Sequence, residues 1–409
     1  MTQEAGRTLS NEEIKQELYK EIELKLDISV KGINIDREEL KKLDIKAGPD
    51  LPGNRSGVLP PWNFVNSRIP DDRIGGGGFG QDYIDPLYGL EVEDGKPYIY
   101  KYGRNKTKIG EVEFKERKRP EILNRLTSDG VPFYSIASIN DAGQVHVNYS
   151  QICVLKDKGE DCYFCNYGVR NAIVKNPKQV GEVFSELYLA GVGKHLNLTS
   201  GFMQERRELE YYLDVAEEIR KRTGLKEFRG TAVIGAPVDL SQIEKYKEAG
   251  FFSVRMNIEI WDKYIWRAIC PGKHNHCGGW ENWVKALERA VEVFGKGKVA
   301  SNIVGGIESK KTILEGIEYE VSRGIVGSAS TWRPVKDSFL EGHRTPETYW
   351  HLDLQKKIAA EYKKYGFTYA DLHNVSPSAG LAVDIFHVEE EAFENGKLIP
   401  WRYPEAVKA

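Results

Sequence analysis

Cys153, Cys162 and Cys165 put three of the chain's five cysteines within thirteen residues, directly after an apolar run that reads as a strand. Thiolates grouped on one loop suit a soft metal centre, and a three-thiol set leaves a fourth metal position open to substrate or cofactor. The spacing Cys162-x-x-Cys165 serves zinc as well as iron–sulfur, so the cysteines alone leave both open. A second group, Cys270-Pro-Gly-Lys273-His274-Asn-His276-Cys277, sets two thiols and two imidazoles within eight residues, a composition for zinc or an auxiliary cluster. Against a metal site, its proline and glycine speak for a surface turn. Asn257 and Glu259 lie two apart, on one face of a strand, and an amide beside a carboxylate suits a sugar diol. Arg333, at another strand end, suits bidentate pairing with a carboxylate or a salt bridge at the rim.

Residues at strand ends need strands to hold them. From residue 144 the chain alternates strand and helix patterns: strands at 145–149, 196–199, 229–235, 252–260, 299–304, 325–332 and 367–373, helices at 177–189, 205–222, 240–249, 280–294, 309–322 and 346–364. Repeated βα units predict a parallel sheet with right-handed crossovers, open or closed as a barrel, with chemistry at the carboxyl ends of its strands. The expected fold class is α/β, a partial or full (β/α) barrel over 144–375. A helical and β-rich extension, 1–143, precedes it, and a tail, 376–409, packs on the barrel.

Within the extension, Ile14, Leu18, Ile22 and Leu26 recur every four residues behind a Ser10 cap, which predicts a helix over 10–27. Short alternating runs between Leu87 and Phe114, punctuated by Asp94-Gly95, predict hairpins. Residues 47–80 hold five prolines and the run Gly75–Gly78, which no regular element tolerates. No Lys-Ser or Lys-Thr follows that run, so it has no phosphate-loop role. With Trp62, Phe64 and Phe79 this segment is expected either to cover the barrel's open end or to pack as an outer arm.

Length and charge bound the rest. The chain has 409 residues, room for two or three domains, and 58 Lys plus Arg against 61 Asp plus Glu, a net charge of -3. Without a basic block, nucleic acid is not an expected partner, and no apolar run suits a membrane span or a leader. Clustered, odd-numbered cysteines point to a reducing, cytoplasmic setting.

Cys-x-aromatic-Cys closing a cysteine triplet after a first strand, here Cys162-Tyr-Phe164-Cys165, resembles the signature of the radical S-adenosylmethionine (SAM) superfamily, with eight residues rather than three between the first two cysteines. Thr199-Ser200-Gly201 corresponds by position to the segment that contacts the SAM amino group, though Gly-Gly-Glu is absent. Asn257 and Glu259 resemble the ribose pair of the biotin-synthase-like branch. Asn302-Ile303-Val304-Gly305-Gly306-Ile-Glu308 looks like the segment that packs on adenine, with Ile303 and Val304 as the purine wall. The resemblance implies a [4Fe-4S] cluster on Cys153, Cys162 and Cys165, SAM bound through Phe164, Thr199, Ser200, Gly201, Asn257, Glu259, Val304, Gly305 and Arg333, and hydrogen abstraction from a small-molecule substrate under anaerobic conditions. It also implies an electron donor such as ferredoxin or flavodoxin. The competing class is a non-enzymatic zinc- or cluster-binding protein.

Overall fold

The computed structural model describes residues 9–44, 62–69, 86–114, 120–140, 142–168, 172–375, 380–400 and 403. It resolves into two compact units, one of residues 120–344, 357–379 and 402–409, the other of residues 1–119, 345–356 and 380–401.

The larger unit carries six parallel strands in sequential order: β1 (Gln144–Ser150), β2 (His195–Ser200), β3 (Phe228–Val233), β4 (Phe251–Arg255), β5 (Val299–Gly305) and β6 (Val326–Thr331). Helices α1 (Pro177–Leu189), α2 (Glu205–Thr223), α3 (Gln242–Ala249), α4 (Gly279–Phe294) and α5 (Lys310–Ser322) fill the crossovers. A two-residue strand, Ser138–Ile139, joins the outer edge of β1 antiparallel. Among the described residues β6 has β5 as its one strand neighbour, so the sheet is an open, partial (β/α) barrel and not a closed one.

Alternation along the strands sorts the two faces. Val145, Val147, Leu196, Leu198, Ala232 and Val254 are buried on the helix side; Gly193, where an added Cβ would sit 2.8 Å from Val145 and 3.0 Å from Leu187, lets β2 begin hard against α1. Tyr149 stacks on Tyr211 of α2 with ring centroids 4.0 Å apart, and the Tyr212 hydroxyl donates to the Leu198 and Val233 carbonyls. The other face is polar: His146, Asn197, Thr231 and Ser253 fall in one register line across β1 to β4. A polar inner face is the expected lining of a barrel that holds a ligand.

One expected strand is absent. Residues 369–372 form a helical turn capped by Thr368, whose hydroxyl accepts from the Asp371 N–H while Asp371 accepts from the Thr368 N–H and hydroxyl. The alternation Phe367-Thr-Tyr-Ala imitates a strand, but the Thr-x-x-Asp capping box decides locally for helix. The fourth strand is also shorter than expected, its regular pairing ending at Arg255.

In the smaller unit, helix Asn11–Lys31 carries the expected apolar stripe, and its Ser10/Glu13 capping box fixes where it starts. Five strands, Ile33–Asn34, Trp62–Phe64, Tyr88–Glu93, Lys96–Lys101 and Thr107–Phe114, make a second sheet, with the last three as the expected hairpins. Trp62 and Phe64 are buried in its core with Ile28, Tyr88, Leu90, Ile99 and Val112. They are therefore core side chains of this unit, which corrects their expected use as lid aromatics. Residues 47–61 and 70–80, including Phe79, lie outside the described residues.

Candidate functional site

The cysteine loop leaves the carboxyl end of β1 and is fixed to the end of β2 by backbone hydrogen bonds, Val154 N to Phe202 O at 2.9 Å and Gly201 N to Ser150 O at 3.1 Å. Gly201 makes this possible. A Cβ there would lie 2.2 Å from the Ile152 carbonyl oxygen and 3.1 Å from Cys153 Cβ, so the close approach that its glycine permits is to the loop itself. Gly168, at φ +120°, passes Cys153 Cβ equally closely, at 3.2 Å from its own missing Cβ. All five cysteines are free thiols; Cys153, Cys162 and Cys165 are half-buried and Cys270 and Cys277 buried.

The thiols sense one another. Burial pushes the Cys165 thiol up to about 11, although the Tyr167 N–H donates to its sulfur at 3.2 Å. Cys162 is drawn the other way by a hydrogen bond with the Cys270 thiol and by the nearby Lys273 charge, while burial and the same contact raise Cys270 well above the usual thiol range. Among the described residues no three His, Cys, Asp or Glu side chains are drawn together tightly enough to hold a single metal ion. A cluster asks less, because each thiolate takes a different iron and the sulfurs stay apart.

Asn257 and Glu259 follow β4 on a chain that is no longer a regular strand. Glu259 sits at φ +71°, a left-handed conformation costly for a residue with a side chain, and is held there by backbone bonds from its N–H to Asn302 O at 2.8 Å and from Val304 N to its own carbonyl at 2.7 Å. Asn257 Oδ1 is buried without a hydrogen-bond partner. The Glu259 carboxylate acts electrostatically on both Cys162 and Cys165, so the expected ribose pair and the expected cluster thiols share one neighbourhood.

Val304 and Gly305 end β5 beside Ser330 and Thr331. Ile303 does not share the face of Val304: it is fully buried and its Cδ1 packs where a Cβ on Gly316 of α5 would lie, 3.0 Å away. Alternation along a strand puts neighbours on opposite sides, so Ile303 belongs to the helix layer and, of these two side chains, only that of Val304 can line a ligand site. Thr199 pairs with Asn148, Ser200 turns its hydroxyl to the Gly201 carbonyl at 2.5 Å, and Phe164 sits half-buried in the turn between Cys162 and Cys165. Arg333 follows β6, half-buried.

The Cys270–Cys277 segment has a different employment from the expected metal site. Residues Pro271–His276 form a short helix that clasps the cysteine loop. Gly272 N donates to Glu160 O at 2.9 Å, Asn275 Nδ2 donates to Glu160 Oε1 at 2.9 Å, His276 Nε2 meets Glu160 Oε2 at 2.6 Å, and Tyr163 N donates to Ile269 O at 2.9 Å. Its Lys273 reaches inward, donating to Glu259 Oε1 at 2.9 Å and to the Asn257 carbonyl at 3.0 Å.

Residues that the sequence did not single out complete the inner face. Asn197 Nδ2 donates to His146 Nδ1 at 2.8 Å, and the Oδ1 atoms of Asn197 and Asn148 are buried without partners. The Tyr167 hydroxyl meets Asn148 Nδ2 and donates to Ser150 O at 3.3 Å. Their signal was period-two polarity in strands whose other face is apolar, such as His146 and Asn148 between Val145, Val147 and Tyr149.

The family model of the Radical SAM superfamily matches residues 147–319, the span from β1 through α5 that holds the cysteines and the Asn257/Glu259 segment. This span is similar to radical SAM domains. Domains of this superfamily work with a [4Fe-4S] cluster and SAM, and the free thiols on one loop together with the unpartnered Asn257 amide oxygen fit such a pair of groups. A curated relative, the bacteriochlorophyllide c C-7(1)-hydroxylase of Chlorobaculum limnaeum, is 27% identical over 243 residues, 54% of this chain and 60% of the relative. The chain thus spans about three-fifths of the length of the curated relative it matches. Among solved structures, methylornithine synthase is similar with a TM-score of 0.40 at 18% identity, covering 56% of this chain and 64% of that one. HydG, a maturase of the [FeFe]-hydrogenase, has a TM-score of 0.44 at 17% identity, covering 53% and 49%. Among the described residues no helix is long and apolar enough to cross a membrane.

Proposed function

We propose that this protein is a radical SAM enzyme that abstracts a hydrogen atom from a small molecule. The observation that carries the reading is the shared neighbourhood of Cys162, Cys165 and Glu259 at the strand ends, above a polar inner face. In this reading Cys153, Cys162 and Cys165 hold the cluster, the Asn257 amide and the Glu259 carboxylate take the ribose hydroxyls, and Thr199, Ser200 and Phe164 border the methionine end. Val304 and Gly305 border the adenine, and Arg333 offers its guanidinium to a carboxylate. A [4Fe-4S] cluster held by these cysteines would supply the electron for reductive cleavage of SAM. The chain's own task is orientation: the clasp from Glu160 to His276 fixes the loop, and His146, Asn148 and Asn197 offer polar groups to a substrate below it. The relative named as a carbon hydroxylase supports attack on a C–H bond.

The barrel of 144–375 is proposed as the catalytic domain, 1–143 as its extension and 376–409 as its tail. A ferredoxin- or flavodoxin-like electron donor and a reducing cytoplasmic setting complete the reading, supported by five free thiols. A non-catalytic zinc- or cluster-binding protein is not favoured, since it accounts for the thiols and leaves Asn257 and the strained Glu259 without purpose. The test is anaerobic reconstitution with iron and sulfide, then incubation with SAM and a strong reductant. 5′-Deoxyadenosine above the level of a Cys165→Ala control is the expected result; none, with the wild-type cluster intact, would overturn the proposal.

A further inference from the structure

We infer that Lys273 is a positioning residue, which aims the Glu259 carboxylate and presents a buried cation to the Cys162 sulfur. This inference rests on the function proposed above. Three observations outside the expected site residues support it.

The first is what the ammonium touches. Lys273 Nζ donates to Glu259 Oε1 at 2.9 Å and to the Asn257 carbonyl at 3.0 Å, and lies 4.6 Å from the centroid of the Trp283 ring. Both members of the expected ribose pair are therefore held by one cation, one through its side chain and one through its backbone. The second is burial. The Lys273 and Glu259 side chains keep 12% and 14% of their exposure, so neither charge is stable there without the other. Burial alone would lower the Lys273 ammonium, but the Glu259 carboxylate and the Cys162 and Cys270 sulfurs more than offset it and raise it above the usual lysine range.

The third is the mounting. Lys273 stands on the helix Pro271–His276, whose Gly272 N–H donates to the Glu160 carbonyl at 2.9 Å; a Cβ on Gly272 would lie 2.5 Å from that oxygen. Asn275 and His276 of the same helix grip the Glu160 carboxylate. One short segment thus touches the enlarged cysteine loop on its outer side and the Asn257/Glu259 pair on its inner side. A positive charge beside a cluster thiolate favours the reduced, more negative cluster, and a carboxylate tied at one oxygen keeps the other for a hydroxyl.

The test compares wild type, Lys273→Met, Glu259→Gln and the double variant, all reconstituted anaerobically. Iron and sulfide content, the cluster's midpoint potential and the SAM Kd by equilibrium dialysis are measured. Lys273→Met should keep its iron, shift the potential to a more negative value and weaken SAM binding roughly 10- to 100-fold, the scale of a lost charge-assisted hydrogen bond. In the Glu259→Gln background the same substitution should change the SAM Kd by less than about threefold, because the carboxylate it aims is gone. Unchanged potential and Kd in Lys273→Met, or fully additive losses in the double variant, would overturn the inference. Should Lys273→Met not fold, the double variant, which removes both buried charges together, should fold, match Glu259→Gln in SAM affinity and show a potential below that of Glu259→Gln; a potential equal to that of Glu259→Gln overturns the inference. Wild-type protein that takes up a cluster but binds no SAM would instead overturn the proposed function, and with it this assignment.

Discussion

An amide oxygen buried without a partner, as at Asn257, costs roughly 1–3 kcal/mol, a cost a binding protein recovers when the ligand's hydroxyl arrives. Replacing Asn257 by Leu, similar in size and without polar atoms, should therefore leave the unliganded fold no less stable while the SAM Kd rises by roughly tenfold or more. Denaturant midpoints and anaerobic equilibrium dialysis read the two effects separately; a destabilised fold with unaltered SAM affinity would make Asn257 a structural residue. Much of the proposed site was legible at the residue scale, since Cys153, Cys162 and Cys165 stand out by type and spacing and Asn257 and Glu259 by their separation of two. Lys273 did not. Fourteen positions separate it from Glu259, and the contact exists only because two short helices, Lys263–Ile269 and Pro271–His276, fold back between them. Nothing in a single sequence distinguishes that lysine from one on a solvated turn. Ile303 failed for the opposite reason: its apolar character was correctly seen, but the alternation of faces gives it to α5.

At the scale of elements, the βα alternation was readable because each helix buries a continuous apolar stripe and each strand an apolar outer face. The segment 367–373 shows the limit of that reading, for its alternation is real but the Thr368/Asp371 capping box outweighs it over so few residues. The cysteine loop is an element of another kind, held less by its own sequence than by what it leans on: Gly201 at the end of β2, Gly168, and the clasp around Glu160. Gly201→Ala tests this directly. Its new Cβ would meet the Ile152 carbonyl at 2.2 Å, a contact with backbone that no rotamer change relieves, so the loop must move away from β2. The expected outcome is a folded protein, with native far-ultraviolet circular dichroism, that loses most of its reconstituted iron. Full iron content in that variant would show that the loop can carry the cluster without this support.

For the molecule as a whole, the balance of its buried charges fixes how stability responds to pH. Glu208 on α2 and Glu320 on α5 are buried carboxyls away from the cysteine loop, and burial raises each to about 8, partly opposed by the Gly235 N–H at Glu208 and by the Ser301 hydroxyl at Glu320. In the unfolded chain such groups ionise near ~4.3. Between about 4.3 and 8 these two carboxyls therefore hold protons in the folded protein that the unfolded chain has released, and their contribution to stability falls as pH rises through that window. Below it both states are protonated; above it both are ionised and the slope ends. Each carboxyl can contribute at most about 1.4 kcal/mol per pH unit. Glu320 is the cleaner probe, because it faces the helix side of the sheet, where a Cβ on Gly327 of β6 would lie 2.6 Å from its Oε2. Glu320→Gln keeps the shape and removes the titration, so its stability gain over wild type should be larger at pH 8 than at pH 5.5 in urea unfolding. An equal gain at both pH values would mean that Glu320 is already ionised inside the fold, with a compensating cation or water that its burial between α5 and the sheet gives no reason to expect.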